Sequence, residues 1–118
     1  MKWAAAAALT AIAVAPAIAA GSAHHFSGVA AFYDTHYSGR TASGERYNAG
    51  RLTAAHRSLP FGTHLRITDR RSHRTVDVVV NDRGPFTRGR VLDLSLAAAR
   101  QLQMIKRGLT HVDAEIVR

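Results

Sequence analysis

Thr75-Val76-Asp77-Val78-Val79-Val80-Asn81-Asp82-Arg83-Gly84-Pro85 is the stretch that decides the fold. Val76, Val78 and Val80 recur at every second residue, the period of a strand with one buried face, and Asp77 falls on the other face. Gly84-Pro85 then breaks the strand, because these two residues punctuate regular structure. Just upstream, His64-Leu65-Arg66-Ile67-Thr68 alternates in the same way, with Leu65 and Ile67 on one face. The polar run 69–74 between them makes the pair a hairpin with a long, strongly basic loop. Working outward, Val29–Tyr33 reads as a first strand, Leu52–His56 as a short strand or turn, Val91–Leu94 as a further short strand and Val112–Val117 as the last. Thr41-Ala42-Ser43-Gly44-Glu45 has the chemistry of a turn.

One helix is signalled. Ser95 can cap a run from Leu96 to Ile105, with Leu96, Ala99, Leu102 and Ile105 at helical spacing. Lys106-Arg107 suits the negative end of the helix dipole, and Gly108 is the expected stop. Many short strands with one late helix predict a small, mostly-β barrel.

The chain has 118 residues, 47% of them apolar and 20% charged, which suits a single folded domain. It contains no cysteine, which excludes disulfide scaffolds, Cys zinc sites, thiol catalysis and a lipid-modified N-terminal Cys. The first residues are a separate object. Lys2 supplies one positive charge, Trp3 to Ala20 carries none, and Ala17-Ile18-Ala19 is a small-x-small cleavage site just after Pro16. This is the grammar of a secretory signal peptide over residues 1–19. The apolar run is barely long enough to span a bilayer, and alanine is a weak membrane residue, so an uncleaved anchor is the poorer reading. Residues 20–27, with His24-His25, are expected to be a flexible leader, and residues 28–118 the folded domain. Removing 19 of the 118 residues leaves 99, and because Lys2 is the only charge lost the formal balance falls from +8 to +7. A basic exported protein meets anionic envelope polymers rather than nucleic acid. The 14 arginines are spread along the chain instead of clustered as on a nucleic-acid-binding face. The expected protein is periplasmic or secreted, without a membrane or lipid anchor, and monomeric.

Eight carboxylates can be weighed singly. Asp113 and Glu115 alternate with apolar residues on the last strand and read as solvated surface. Asp69 falls in the hairpin loop, Asp77 points outward, Asp34 has no evident partner, and Asp93, between Leu92 and Leu94, reads as a structural hydrogen-bonding group. Asp82, at a strand end beside a tight corner, and Glu45, in a Ser-Gly-Glu turn, remain. Each is either a turn-stabilising acid or a reactive group at a barrel mouth. The seven histidines show no metal-ligand spacing, so neither a metal nor another cofactor is expected. His56 abuts apolar residues and is either a satisfied core histidine or a site group titrating near neutrality.

Four motifs in order resemble one known family: Gly39-Arg40-Thr41-Ala42-Ser43-Gly44-Glu45; Leu52 to Thr63, with Ala54-Ala55-His56 and Leu59-Pro60-Phe61-Gly62; Val80-Asn81-Asp82-Arg83-Gly84-Pro85-Phe86; and Gly89-Arg90-Val91-Leu92-Asp93-Leu94-Ser95 before the Ala-rich helix. Together they resemble the rare lipoprotein A family, septal-ring lytic transglycosylases built on a double-psi β-barrel. The resemblance covers residues 28–117 and implies a six-stranded double-psi barrel with one late helix. It implies endolytic cleavage of the β-1,4 bond between N-acetylmuramic acid and N-acetylglucosamine of peptidoglycan glycan strands, intact or stripped of their peptides. The product keeps a 1,6-anhydro end, as in cell-wall remodelling or daughter-cell separation. One acid protonates the glycosidic oxygen and its conjugate base takes the proton of the sugar's own C6 hydroxyl, an intramolecular nucleophile of high effective molarity. No water-activating second carboxylate is needed.

Carried over by the resemblance, Asp82 is the general acid/base, Glu45 stabilises positive charge on the sugar or shares proton transfer, the reverse assignment of these two acids being the alternative, and His56 orients or tunes one of them. Thr41, Ser43, Asn81 and Arg83 would hydrogen-bond the sugar and its substituents, with Tyr33, Tyr37 and Tyr47 as stacking surfaces. Phe32, Asp34 and Gln103 depart from the family's usual Trp, Gly and Gly. The rival reading is a non-catalytic, expansin-like or barwin-like wall-polysaccharide binder held by its charge; a hydrolase that adds water is the third.

Overall fold

The computed structural model describes residues 24–117, so the signal-peptide reading of residues 1–19 lies outside the described residues. Six strands and one helix follow in chain order: β1 (His25–Phe32), β2 (Thr53–Ala55), β3 (His64–Asp69), β4 (Thr75–Asp82), β5 (Arg90–Leu94), α1 (Leu96–Gln101) and β6 (Thr110–Ile116). The strands close into a barrel in the order β1-β5-β2-β4-β3-β6. Two neighbouring pairs, β1 with β5 and β2 with β4, run parallel, and the others antiparallel.

The alternating valines of β4 form these strands for the reason their spacing predicts. Val76, Val78 and Val80 point inward with Leu65 and Ile67 of β3, Leu92 and Leu94 of β5, and Val112 of β6, all at most 2% exposed. Arg66 and Asp77, directly opposed on the outer face, make a two-pronged ion pair at 3.0 and 3.3 Å. The pair is exposed, so it adds little stability and mainly keeps that face soluble.

Three expectations need correcting. Of the leader expected to be flexible over residues 20–27, His25, Phe26 and Ser27 are strand, paired with Glu115, Ala114 and Asp113 of β6. That pairing gives the β6 edge its partner, and Phe26 packs on the core. Next, the helix starts at the Ser95 cap, whose Oγ accepts from the Ala98 N–H, but it ends at Gln101 rather than Ile105. The Gln103 N–H donates to Arg100 O and the Met104 N–H to Ala99 O, with Gln103 at φ 55°, the paired hydrogen bonds of a Schellman end. That turn brings Met104 into the core and leaves Ile105 37% exposed. Left-handed backbone is strained for a side chain with a Cβ. Gln103→Gly is therefore expected to raise stability by about 1 kcal/mol, read as a higher midpoint in thermal unfolding; an unchanged or lower midpoint contradicts this account of the helix end.

The third correction concerns Asp69, which ends β3 and is fully buried rather than belonging to the hairpin loop. Its Oδ2 accepts from Arg107 Nη2 at 2.6 Å, and its Oδ1 accepts from Thr110 Oγ1 and the Arg71 N–H, each at 2.9 Å. This carboxylate joins the end of β3, the chain after α1 and the start of β6. Burial alone would raise its pKa. The hydrogen bonds from Arg107, Arg71 and Thr110, with the Arg107 charge, override burial and hold it down to about 2.

Candidate active site

The site forms where β4 leaves the barrel. Val80 pairs with Ala54, but the next pairing joins Asp82 to Ala55, so Asn81 is an extra residue in β4. Such a bulge reverses the alternation. Without it, Asp82 would follow Val76, Val78 and Val80 into the core; with it, Asp82 shares the outer row with Ala55. Gly84, at φ 119°, takes a backbone conformation that side chains rarely adopt and turns the chain away two residues later.

The segment 40–46 folds over this strand end. Thr41 and Glu45 are tied by the Thr41 N–H and Oγ1, both donating to Glu45 O at 2.7 and 2.9 Å, and Arg40 pairs with Arg46 across the base of the loop. The Ser43 N–H donates to Asn81 O, which docks the loop on β4. Two side-chain contacts then join the predicted acids to one scaffold. The Ala42 N–H donates to Asp82 Oδ1 at 2.7 Å, and Asn81 Nδ2 donates to Glu45 Oε1 at 3.2 Å.

Asp82 receives two more hydrogen bonds, from Tyr33 Oη at 2.5 Å to Oδ2 and from the Arg83 N–H at 2.9 Å to Oδ1. Burial, together with the hydrogen bond to Asp82, pushes the Tyr33 phenol far above its ordinary pKa, so it remains a proton-bearing donor. Glu45 is looser: its side chain is 52% exposed, and Arg51 lies 3.9 Å away. One carboxylate is rigidly held and the other can adjust to a ligand.

The remaining predicted residues divide into those that face the site and those that build it. Tyr33 stacks on Tyr47 with ring centroids 4.4 Å apart, and Tyr37 packs against both. Tyr47 is only 8% exposed, and its Oη accepts from the Leu96 N–H, so it supports Tyr33 instead of offering a sugar platform. Tyr37, 40% exposed, is the tyrosine with a free face. Thr41 is buried, and its hydroxyl is occupied by Ser43 Oγ and Glu45 O, which makes it part of the loop's frame. Asn81 is buried, with its Oδ1 unpartnered. Arg83 turns its guanidinium onto the carbonyls of His56 and Leu59 and lies 4.1 Å over the Phe61 ring, bracing the neighbouring loop.

His56 meets Asp82 through its backbone, its N–H donating to Asp82 O at 3.1 Å. Its Nδ1 accepts from the N–H groups of Ser58 and Leu59, which places the ring proton on Nε2, and the ring packs edge-on against Phe26. Burial, with the charges of Arg57 and Arg83, lowers its pKa, so the imidazole is neutral at pH 7. Among the described residues, no group of three or more His, Cys, Asp or Glu is placed to hold a metal.

Asp93, which the sequence presents as a structural hydrogen-bonding group, makes no such bond among the described residues. Its Oδ1 is buried with no hydrogen-bond partner, and the carboxyl stands near enough to Asp82 for their charges to interact. The signal for it lies in the strand register, Ala55 pairing with Asp82 on one side and Asp93 on the other, which no local pattern of the sequence states.

The model of the lytic transglycolase family matches residues 25–114, the whole barrel with its site. The chain belongs to that family. The double-psi β-barrel expected from the four motifs is the fold of this family member. Among relatives, "Probable endolytic peptidoglycan transglycosylase RlpA" of Nostoc sp. (strain PCC 7120 / SAG 25.82 / UTEX 2576) is 56% identical over 95 residues, covering 78% of this chain and 26% of that protein. "Endolytic peptidoglycan transglycosylase RlpA" of Pasteurella multocida (strain Pm70) is 47% identical over 91 residues, covering 76% and 31%. The chain thus spans less than a third of the length of these relatives. Among solved structures, the Streptomyces papain inhibitor superposes with a TM-score of 0.65 at 24% identity, covering 80% of this chain and 94% of that one, a likeness of fold. An expansin of Clavibacter michiganensis superposes with a TM-score of 0.61 at 27% identity, covering 80% and 50%.

Proposed function

We propose that this family member is an exported endolytic peptidoglycan transglycosylase. It would cut the β-1,4 bond between N-acetylmuramic acid and N-acetylglucosamine and leave a 1,6-anhydro end. The observation that carries this reading is the pairing of a rigid carboxylate, Asp82, with an adjustable one, Glu45, on a single strand end. The names borne by relatives at 47 to 56% identity point to the same reaction.

In this mechanism Asp82 is the base that the C6 hydroxyl meets. Tyr33 and the Ala42 and Arg83 N–H groups aim its carboxylate, so little reorganisation is needed when it takes the proton of the C6 hydroxyl. O6 then attacks C1 of its own ring as the glycosidic C1–O bond breaks and the bridging oxygen leaves with the electron pair and takes up a proton, an intramolecular closure that replaces water. Glu45, the more exposed of the two acids, supplies negative charge to the oxocarbenium-like sugar. Tyr37 offers an exposed ring for stacking, Ser43 a hydroxyl for the sugar's substituents, and neutral His56 holds the loop 56–59 that Arg83 braces. The positive excess favours an anionic wall polymer, and export follows from the signal-peptide grammar of residues 1–19.

The expansin likeness keeps a second reading in view, a wall binder that does not cut; a related structure shows a Clavibacter michiganensis expansin variant in complex with cellohexaose. Incubation of residues 20–118 with intact and peptide-stripped sacculi separates the two. Release of soluble muropeptides or glycan fragments is the expected result. Salt-sensitive binding to both sacculi with nothing released would replace the enzyme by the binder.

A further inference from the structure

Asp82, Ala55, Asp93 and Ala31 are successive cross-strand neighbours on β4, β2, β5 and β1. The bulge in β4 puts Asp82 in this outer row. The two acids are separated by one alanine, about 10 Å between their backbones at two strand spacings. Only a methyl group stands between them in the row, and the Tyr33 phenol, hydrogen-bonded to Asp82, lies close enough to interact with both acids. The two acids are treated oppositely. Asp82 accepts three hydrogen bonds. Asp93 is half-buried, its Oδ1 is fully covered, and no hydrogen bond or ion pair reaches its carboxyl among the described residues. A charged carboxylate deprived of water and donors is costly, whereas its neutral form is much less so.

The groups around Asp93 pull in both senses, and burial prevails. Burial is the largest influence and raises its pKa; Arg90, on its own strand, opposes this, and the charge of Asp82 on β4 adds to it. The Tyr33 phenol, just after β1, stays neutral, and β2 presents the apolar Ala55. Of the two carboxyls, Asp93 is the one whose surroundings favour the protonated form, and Asp82 the one that faces three hydrogen-bond donors.

We propose that Asp93 is a second catalytic carboxyl, the acid that protonates the leaving glycosidic oxygen while Asp82 takes the proton of the C6 hydroxyl. This rests on the transglycosylase reading above. The Asp93 O–H bond breaks as its proton passes to the bridging oxygen, and the C1–O bond breaks with its electron pair on that oxygen. An O6 lone pair forms the new bond to C1, and the O6 proton moves to Asp82. Passage of that proton from Asp82 back to Asp93 restores the resting enzyme, so no water or cofactor is consumed.

The test compares two soluble substrates with wild type, Asp93→Asn and Asp82→Asn. On a peptide-stripped glycan strand, Asp93→Asn is expected to make anhydro ends about a hundredfold more slowly and to lose the fall in rate that wild type shows as pH rises through the Asp93 pKa. On a muramic glycoside with a nitrophenolate leaving group, which departs without protonation, Asp93→Asn should match wild type and Asp82→Asn should remain impaired. Equal losses on both substrates, or no loss on either, would overturn the assignment. Wild type producing no anhydro ends would overturn the function instead. Should the Asp93→Asn chain fail to fold, the carbon-13 shift of the Asp93 carboxyl, followed against pH in wild type, decides. A midpoint above the ordinary carboxylate range is expected, and one at or below about 4 overturns the proposal.

Discussion

Asp82→Asn is expected to lower the rate of anhydro-end formation about a thousandfold, within the usual range for removing a positioned acid/base group. This corresponds to about 4 kcal/mol of transition-state stabilisation. The substitution is a sharp probe because asparagine keeps the shape of the side chain. Its amide oxygen can still accept from the Ala42 and Arg83 N–H groups, the two bonds that pin the 41–45 loop and the corner after β4. The frame of the site therefore survives, and retention on sacculi should stay within about twofold of wild type, while the group that takes the C6 proton is gone. Turnover and retention measured side by side check this split. Undiminished turnover would remove Asp82 from the mechanism, and a parallel loss of retention would make it a structural residue.

The second large effect lies far from the chemistry. Arg107→Ala leaves the fully buried Asp69 without the one cationic side chain that pairs with it among the described residues, and breaking such a pair from one side costs about 3–5 kcal/mol. Denaturant unfolding should show this as a lower midpoint with little change in slope. The pH dependence carries the same signature. Asp69 has a lower pKa folded than unfolded, so its contribution is fully present above the ordinary carboxylate range. It is lost as pH falls through about 2. Wild type should lose stability over that acid window, and Arg107→Ala should show a shallower dependence. Equal slopes in the two proteins would count against the Asp69–Arg107 pair as their source.

These two residues also mark how far the sequence can be read. The valines of β4 and the alternation of β3 locate their hairpin because one buried face imposes a period of two, whatever lies elsewhere in the chain. Ser95 is readable as a cap for a similar reason, since its partner is three residues away. Asp69 is not, because Arg107 is 38 residues further on and only barrel closure brings them together. The same distinction governs the site. Glu45 and Asp82 stand out beside their Gly-bearing turns, but the bulge that turns Asp82 outward depends on how β4 pairs with β2, and no local pattern states it. Tyr33 and Tyr47 look alike in sequence; stacking gives one the carboxylate and the other the helix cap. The helix end escaped for want of a glycine, Gln103 taking the left-handed position itself.

The central claim is that the sugar's own hydroxyl, and not water, completes the cleavage. The most direct measurement is digestion of peptide-stripped glycan strands in oxygen-18 water, with mass spectrometry of the new muramic ends. The account predicts fragments that lack one water relative to hydrolytic products and carry no oxygen-18. Reducing ends that have gained a labelled oxygen would contradict it and make the protein a hydrolase.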